Sequence, residues 1–298
     1  MLRWIYHLAE SDPSTEAYAP ESLRTEGFIH GSYRDAVAES ARLYFPASAV
    51  LRVLRIDPRR LDVPVEVAET PRGPMPHVHG PVPRDAIREV LSLDALSRAP
   101  DEVRGTRFLF VAFEGMTLLD LVGVHDPIAR VARMGIDAEA SFEVVSLTDA
   151  PWREHGATFS ATRAASVPGD ADVLIVPGGL GTRTLVDDPS VVRWLKGFPE
   201  NRLKVSVCTG ALLLGAAGFL QGRRATTHAS ALGELPRHGA THEDARVVHD
   251  RSLITGGGVT AAIDVGLYVV RVLYGAGAAD RIAAQMEWPT PSRRPPAS

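Results

Sequence analysis

The chain has 298 residues, enough for one or two domains with a substantial core. Its 32 basic and 36 acidic side chains leave a net charge of −4, which offers no basic field for nucleic acid or an anionic membrane surface. A single cysteine, Cys208, excludes an internal disulfide and suits a reducing cytoplasm; His7, Glu10 and Asp12 interrupt any leader-like or spanning apolar run near the start.

Residues 1–96 read as a smaller N-terminal α+β domain. Residues 4–8 and 49–56 are strand candidates, and residues 33–44 carry helical spacing in Val37, Ala41 and Tyr44. Residues 84–91 predict another helix. A polar linker follows at 97–105, with Pro100 and Gly105. Beyond it, residues 106–288 show regular strand–helix alternation. Strands are expected at 107–113, 142–147, 172–177 and 204–207, with a helix restarting at Asp126 as N-cap and Pro127 as first helical residue. Apolar strands separated by helices predict a parallel sheet covered on both faces, with the site beyond the strands' carboxyl ends. Residues 289–298, rich in proline, predict a disordered tail.

Cys208 occupies the most informative position. Val205 and Val207 suit a strand and Ala211 to Leu214 suit a helix, so Cys208-Thr209-Gly210 is a sharp strand-to-helix turn. This is the arrangement of a nucleophile elbow, and a thiol near a helix N-terminus is expected to have a lowered pKa. The other reading is a small buried hydrophobe. Two other strands end in chemically suggestive sequence, Glu114-Gly115 with Asp120 nearby, and Pro177-Gly178-Gly179. Convergence of all three strand ends on one edge favours the nucleophile.

The segments Phe113-Glu114-Gly115-Met116-Thr117-Leu118-Leu119-Asp120, Val173-Leu174-Ile175-Val176-Pro177-Gly178-Gly179 and Val207-Cys208-Thr209-Gly210-Ala211 resemble the ThiJ/PfpI superfamily. Arg224-Ala225-Thr226-Thr227-His228 and Leu253-Ile254-Thr255-Gly256-Gly257-Gly258 extend the match over nearly all of 105–288. The resemblance implies a flavodoxin-like, class I glutamine amidotransferase-like α/β fold and a homodimer. Cys-Thr-Gly with Asp120 is most similar to the isonitrile hydratase branch. That branch implies a hydro-lyase which turns an isonitrile into an N-substituted formamide through a thioimidate on Cys208, with no metal or organic cofactor. Alternatives are a hydrolase or glyoxalase-like enzyme on small carbonyls, and a ligand-sensing module. Related domains occur fused to helix-turn-helix regulators, but the few residues after Trp288 argue against a DNA-binding module here.

On this resemblance Cys208 is the nucleophile and Asp120 the proton shuttle; the alternative for Asp120 is a helix-cap or surface carboxylate. Gly179 and Thr209 would offer N–H groups to developing negative charge, and Gly178, Gly179 and Gly210 would allow close backbone approach. The Thr209 hydroxyl would hold water or the substrate nitrogen, or else cap its own helix. Many superfamily members place His where this chain has Thr209, which counts against a peptidase. His228 is then the best candidate for a Cys–His pair, and more simply a pocket or strand-end residue. Val124-His125-Asp126-Pro127 also departs from the family pattern. His238, His242 and His249 lack metal-ligand spacing and read as surface residues.

The first domain resembles a bacterial domain family of unknown function through Ile5-Tyr6-His7-Leu8, 22–30 and Met75-Pro76-His77-Val78-His79-Gly80-Pro81. His7, His30 and His77 are candidates to line a phosphate or nucleotide pocket. The competing reading has His7 and His30 buried against backbone, with His77 and His79 in a proline-rich turn.

Overall fold

The computed structural model describes residues 2–13, 17–149, 151–154, 156–164 and 168–289. The chain divides into two compact units, 1–103 and 104 onward.

The first unit is α+β. Its elements are β1 (Ile5–Ala9), α1 (Glu21–Thr25), β2 (Ile29–His30), α2 (Arg34–Tyr44), β3 (Arg52–Ile56), β4 (Val65–Thr70), β5 (Gly73–Val78) and β6 (Ile87–Leu91). Two three-stranded antiparallel sheets result, in the orders β1-β3-β6 and β2-β5-β4. The period of two along β1 and β3 sends Ile5, Ala9, Leu54 and Ile56 into one apolar cluster, and Tyr6 and Val53 into another on the opposite face. Residues 84–91 are a 3₁₀ turn, Arg84–Ala86, running into β6, and not the expected helix. Pairing with β3, in which Ile87 sits opposite Ile56, outweighs the local helical spacing. His77 lies within β5, not in a turn.

The second unit has a flavodoxin-like α/β fold. It runs β7 (Arg107–Ala112), α3 (Leu118–Arg133), β8 (Ser141–Ser146), a hairpin of β9 (Trp152–Glu154) and β10 (Ala157–Phe159), β11 (Thr162–Arg163) and β12 (Val173–Val176). It continues with α4 (Thr182–Leu185), α5 (Pro189–Lys196), β13 (Leu203–Val207), α6 (Gly210–Ala216), and β14 (Arg224–Ala225) paired with β15 (Thr241–His242). β16 (Val247–Asp250), β17 (Leu253–Gly256), α7 (Ala261–Tyr274) and α8 (Ala276–Gln285) complete it. The main sheet has the order β11-β8-β7-β12-β13-β17-β16, parallel throughout except for β16 against β17. β12, β13 and β17 are buried along their whole length, as apolar strands covered on both faces must be. From β7 the chain goes first to β8 on one side and later to β12 on the other. The switch point of the topology, where such folds bind ligands, therefore lies between β7 and β12.

The helix after β7 is continuous from Leu118 to Arg133 with Pro127 inside it, so it does not restart at Asp126. A proline there removes one backbone bond and costs about 3 kcal/mol in an isolated helix. Close packing on α7 holds the segment together. A Cβ on Gly123 would lie 2.7 Å from Ala262 Cβ, and one on Gly266 would lie 2.8 Å from the Val124 carbonyl and 3.0 Å from Pro127 Cγ. Asp126 instead pairs with Arg130 one turn on, at 2.7 Å. The start of β7 is pinned by buried Asp137, which accepts the Gly105 and Thr106 N–H groups (2.9 and 3.1 Å) and the Tyr274 hydroxyl (2.9 Å). Apart from Pro289, the tail at 289–298 lies outside the described residues. Among the described residues no helix is long and apolar enough to cross a membrane.

Candidate active site

Three loops meet at the carboxyl ends of β7, β12 and β13. The Thr117 N–H donates to the Gly178 carbonyl at 2.8 Å, and the Gly181 N–H to the Gly115 carbonyl at 3.0 Å, which ties the first loop to the second. The second and third loops are tied by the Gly179 N–H, which donates to Thr209 Oγ1 at 3.0 Å.

Cys208 follows β13 directly and has φ of +55°, a left-handed conformation that costs a non-glycine residue free energy. Its surroundings hold it there. The Cys208 N–H donates to the Gly256 and Gly257 carbonyls (3.0 and 2.9 Å), and its carbonyl accepts the Thr227 hydroxyl at 2.7 Å. A Cβ on Gly178 would sit 2.5 Å from the Thr209 nitrogen and 2.7 Å from Cys208 Cβ, and one on Gly210 would sit 2.3 Å from the Val176 carbonyl. Both positions therefore exclude any side chain. Gly179 adds φ of +134° and a close approach to the Gly115 carbonyl.

Asp120, in the first turn of α3, is fully buried beside Cys208. Its Oδ2 accepts the Gly178 N–H at 3.0 Å. Oδ1 is buried with no N–H or hydroxyl donor, and the thiol is the acidic group that interacts with this carboxyl. Burial pushes the carboxyl up to about 6, although the Gly178 N–H and the thiol both favour the anion. Burial and the Asp120 charge push the thiol up to about 11, against the opposing pull of the Thr209 N–H and hydroxyl. The lowered thiol pKa expected from the elbow is thus not the resting condition. Burial of the sulfur, with the Asp120 charge beside it, outweighs the few N–H groups that open a seven-residue helix.

Two further expectations change. The Gly179 N–H, assigned to an oxyanion, is already donated to Thr209 Oγ1. Nor does the Thr209 side chain cap its own helix. Its oxygen takes the Gly179 N–H, and its proton is left to point at the Gly179 carbonyl (3.2 Å) or at sulfur. Thr182, which sequence reasoning missed, is buried and has its hydroxyl 2.7 Å from the Gly179 carbonyl and 3.0 Å from Thr209 Oγ1. Thr227 was missed as well. Thr182 lies in no motif segment, and Thr227, although inside the 224–228 segment, acts through a contact that only the fold brings about.

His228 does not pair with Cys208. Its Nδ1 accepts the Ser230 N–H at 3.2 Å and caps the 3₁₀ segment Ala229–His238, and its ring lies against the Gly258 backbone. His249 is half-buried, bonded to the Arg251 carbonyl at 2.7 Å and near the Tyr268 hydroxyl at 3.3 Å. Among the described residues no group of three or more His, Cys, Asp or Glu is placed to hold a metal ion.

Comparison with known proteins gives the following. The DJ-1/PfpI family matches residues 106–272, and the family described as a protein of unknown function (DUF952) matches residues 7–90. Isonitrile hydratase of Pseudomonas putida is 36% identical over 180 residues, covering 60% of this chain and 77% of that protein. The HTH-type transcriptional regulator CdhR of Pseudomonas aeruginosa is 27% identical over 184 residues, covering 60% of this chain and 54% of its own. The crystal structure of a ThiJ/PfpI family protein from Pseudomonas syringae superposes with a TM-score of 0.56 at 32% identity, covering 66% of this chain and 79% of that one. With its switch-point site and a family match over more than half its length, the chain belongs to the DJ-1/PfpI family.

Proposed function

We propose that the second unit is a cysteine-dependent hydro-lyase that adds water to an isonitrile to give an N-substituted formamide. The observation that carries this reading is the buried pair of Cys208 and Asp120, with thiol and carboxylate side by side and a free carboxylate oxygen. At neutral pH the pair rests as thiol and carboxylate. That combination can deliver both a nucleophile and a proton to one substrate atom.

The terminal carbon of R–N≡C needs just that. Asp120 takes the thiol proton as sulfur bonds to the carbon, then passes the proton to the same carbon, giving the thioimidate R–N=CH–S–Cys208. Water adds to this carbon while Asp120 relays one of its protons to nitrogen, with the Thr209 hydroxyl orienting water or nitrogen. Collapse of R–NH–CH(OH)–S–Cys208 releases R–NH–CHO, and the hydroxyl proton returns to sulfur. No step calls for a metal or an organic cofactor. The similarity to the Pseudomonas putida isonitrile hydratase supports the same reading.

Turnover of cyclohexyl isocyanide to its N-formyl product tests it, with wild type beside Cys208→Ala and Asp120→Asn. Product from wild type alone, and a thioimidate adduct on Cys208 by mass spectrometry, are expected. No product, with Cys208 still alkylated once the pH is raised toward 10, would move the site to another electrophile, and a Cys208 that stays inert even there would leave the sensing module.

A homodimer is part of the proposal. Leu119 and Val122, three apart on α3 and 40% and 44% exposed, and Leu180, 86% exposed, are apolar side chains left in solvent around the site loops. Light scattering of wild type and Leu119→Glu/Val122→Glu decides it, a shift from dimer to monomer being expected.

A further inference from the structure

The first unit contains a cavity of about 660 Å³ between its two sheets and α2, within the range of small-molecule sites and far larger than one inorganic anion requires. Two clusters of polar side chains line it. In the first, the Arg72 guanidinium donates to Ser40 Oγ and to the Tyr44 hydroxyl, both at 3.0 Å, and stacks over the Tyr44 ring. These partners are neutral, and no carboxylate pairs with Arg72 among the described residues. A cation held in place by hydroxyls and left uncompensated is a preformed anion anchor.

The second cluster contains His30, Glu26 and His77. His30 Nε2 is 2.9 Å from a Glu26 oxygen, which fixes the carboxylate at the cavity edge with acceptor capacity to spare. His77 stacks face to face on Phe28, with ring centroids 4.0 Å apart and planes 16° apart. It makes no side-chain hydrogen bond among the described residues, so both ring nitrogens remain available. His7, by contrast, is committed on both sides, to the His30 carbonyl (2.7 Å) and the Tyr18 hydroxyl (2.9 Å). The three histidines that line the cavity thus separate into a structural one, a paired one and a free one.

A ligand that satisfies both clusters carries a strong anion at one end and hydroxyls at the other. We propose that the first unit binds a sugar phosphate, free or within a mononucleotide, with its phosphate on Arg72 and its hydroxyls toward Glu26 and His77. Glu26 would accept hydroxyl protons, and His77 would bond a further oxygen edge-on while Phe28 keeps its ring in place.

Calorimetric titration of the full chain with ribose 5-phosphate, adenosine 5′-monophosphate, inorganic phosphate and ribose tests this. One of the two phosphorylated sugars is expected to bind at a single site, at least about tenfold tighter than either phosphate or ribose alone, and which one it is separates the free sugar from the nucleotide. Arg72→Gln and His77→Gln are each expected to weaken it by about tenfold or more, as loss of a charge-assisted or buried bond does, while Cys208→Ala leaves it unchanged. If Arg72→Gln fails to fold, His77→Gln carries the test, because its ring makes no bond that the fold needs. Binding of phosphate or ribose as tight as the sugar phosphate, full affinity in His77→Gln, or heat from none of the four probes would overturn the proposal.

Discussion

The Gly178 N–H holds Oδ2 of Asp120 at 3.0 Å, so a loop after β12 fixes a carboxylate that arrives from α3, 58 positions earlier in the chain. The same glycine lies against the Thr209 nitrogen and Cys208 Cβ. One residue without a side chain therefore sets both the orientation of the acid and the position of the sulfur, and Oδ1 is the oxygen left for chemistry.

The pH profile follows from that pair. In the proposed reaction the working form has Asp120 ionised and Cys208 protonated, so kcat/KM is expected to rise as pH passes about 6 and to fall as it approaches about 11, with a plateau between. Stopped assays on cyclohexyl isocyanide across pH 5–10 would show the rising arm; a falling arm in that window would contradict the assignment.

Asp120→Asn should separate activity from stability. The amide keeps an oxygen for the Gly178 N–H but loses the proton relay, so turnover is expected to drop about 10²–10⁴-fold. The native carboxyl is raised from 3.8 to about 6, so its favourable contribution belongs to low pH and is lost as pH rises through about 6. At pH 7.5 the buried charge therefore destabilises the fold, and its removal should add on the order of 2 kcal/mol by denaturant titration. The thiol of the variant, freed of a neighbouring anion, should alkylate at lower pH than wild type.

Thr209→Val removes both the acceptor for the Gly179 N–H and the hydroxyl proton. A fall in kcat of about 10–100-fold is expected, while Thr209→Ser, which keeps both, should stay within about threefold of wild type. Equal losses in the two variants would assign the effect to packing of the methyl group.

Gly178→Ala forces a Cβ to within 2.5 Å of backbone nitrogen, which no side-chain rotation relieves. A stability loss of about 1–3 kcal/mol together with loss of turnover is expected. Gly233→Ala, where a Cβ meets nothing within 4 Å, is the control and should be close to neutral.

Much of the second unit is legible from its apolar strands, because a strand buried on both faces leaves an unbroken run such as Val173–Val176. The meeting of the three loops was also legible, since parallel strands put their carboxyl ends on one edge. Where local pattern competes with packing, the sequence misleads. Pro127 reads as a helix start until the contact with Gly266 is known, and 84–91 reads as a helix until β3 is there to pair with it. The state of the thiol is equally hidden, because it depends on the burial of the sulfur and on the charge of Asp120, which is far away in the sequence. His77 becomes conspicuous only once His7 and His30 are seen to be occupied.

The raised thiol has a consequence for what the protein ignores. With the thiol pushed up to about 11, the thiolate is a minor form at pH 7, so peroxide, disulfides and ordinary alkylating metabolites are expected to react slowly with this sulfur. A molecule whose own reacting atom can accept the proton escapes that penalty, because attack and protonation are then one event. In the proposed reaction the elbow would thus select by basicity before it selects by shape.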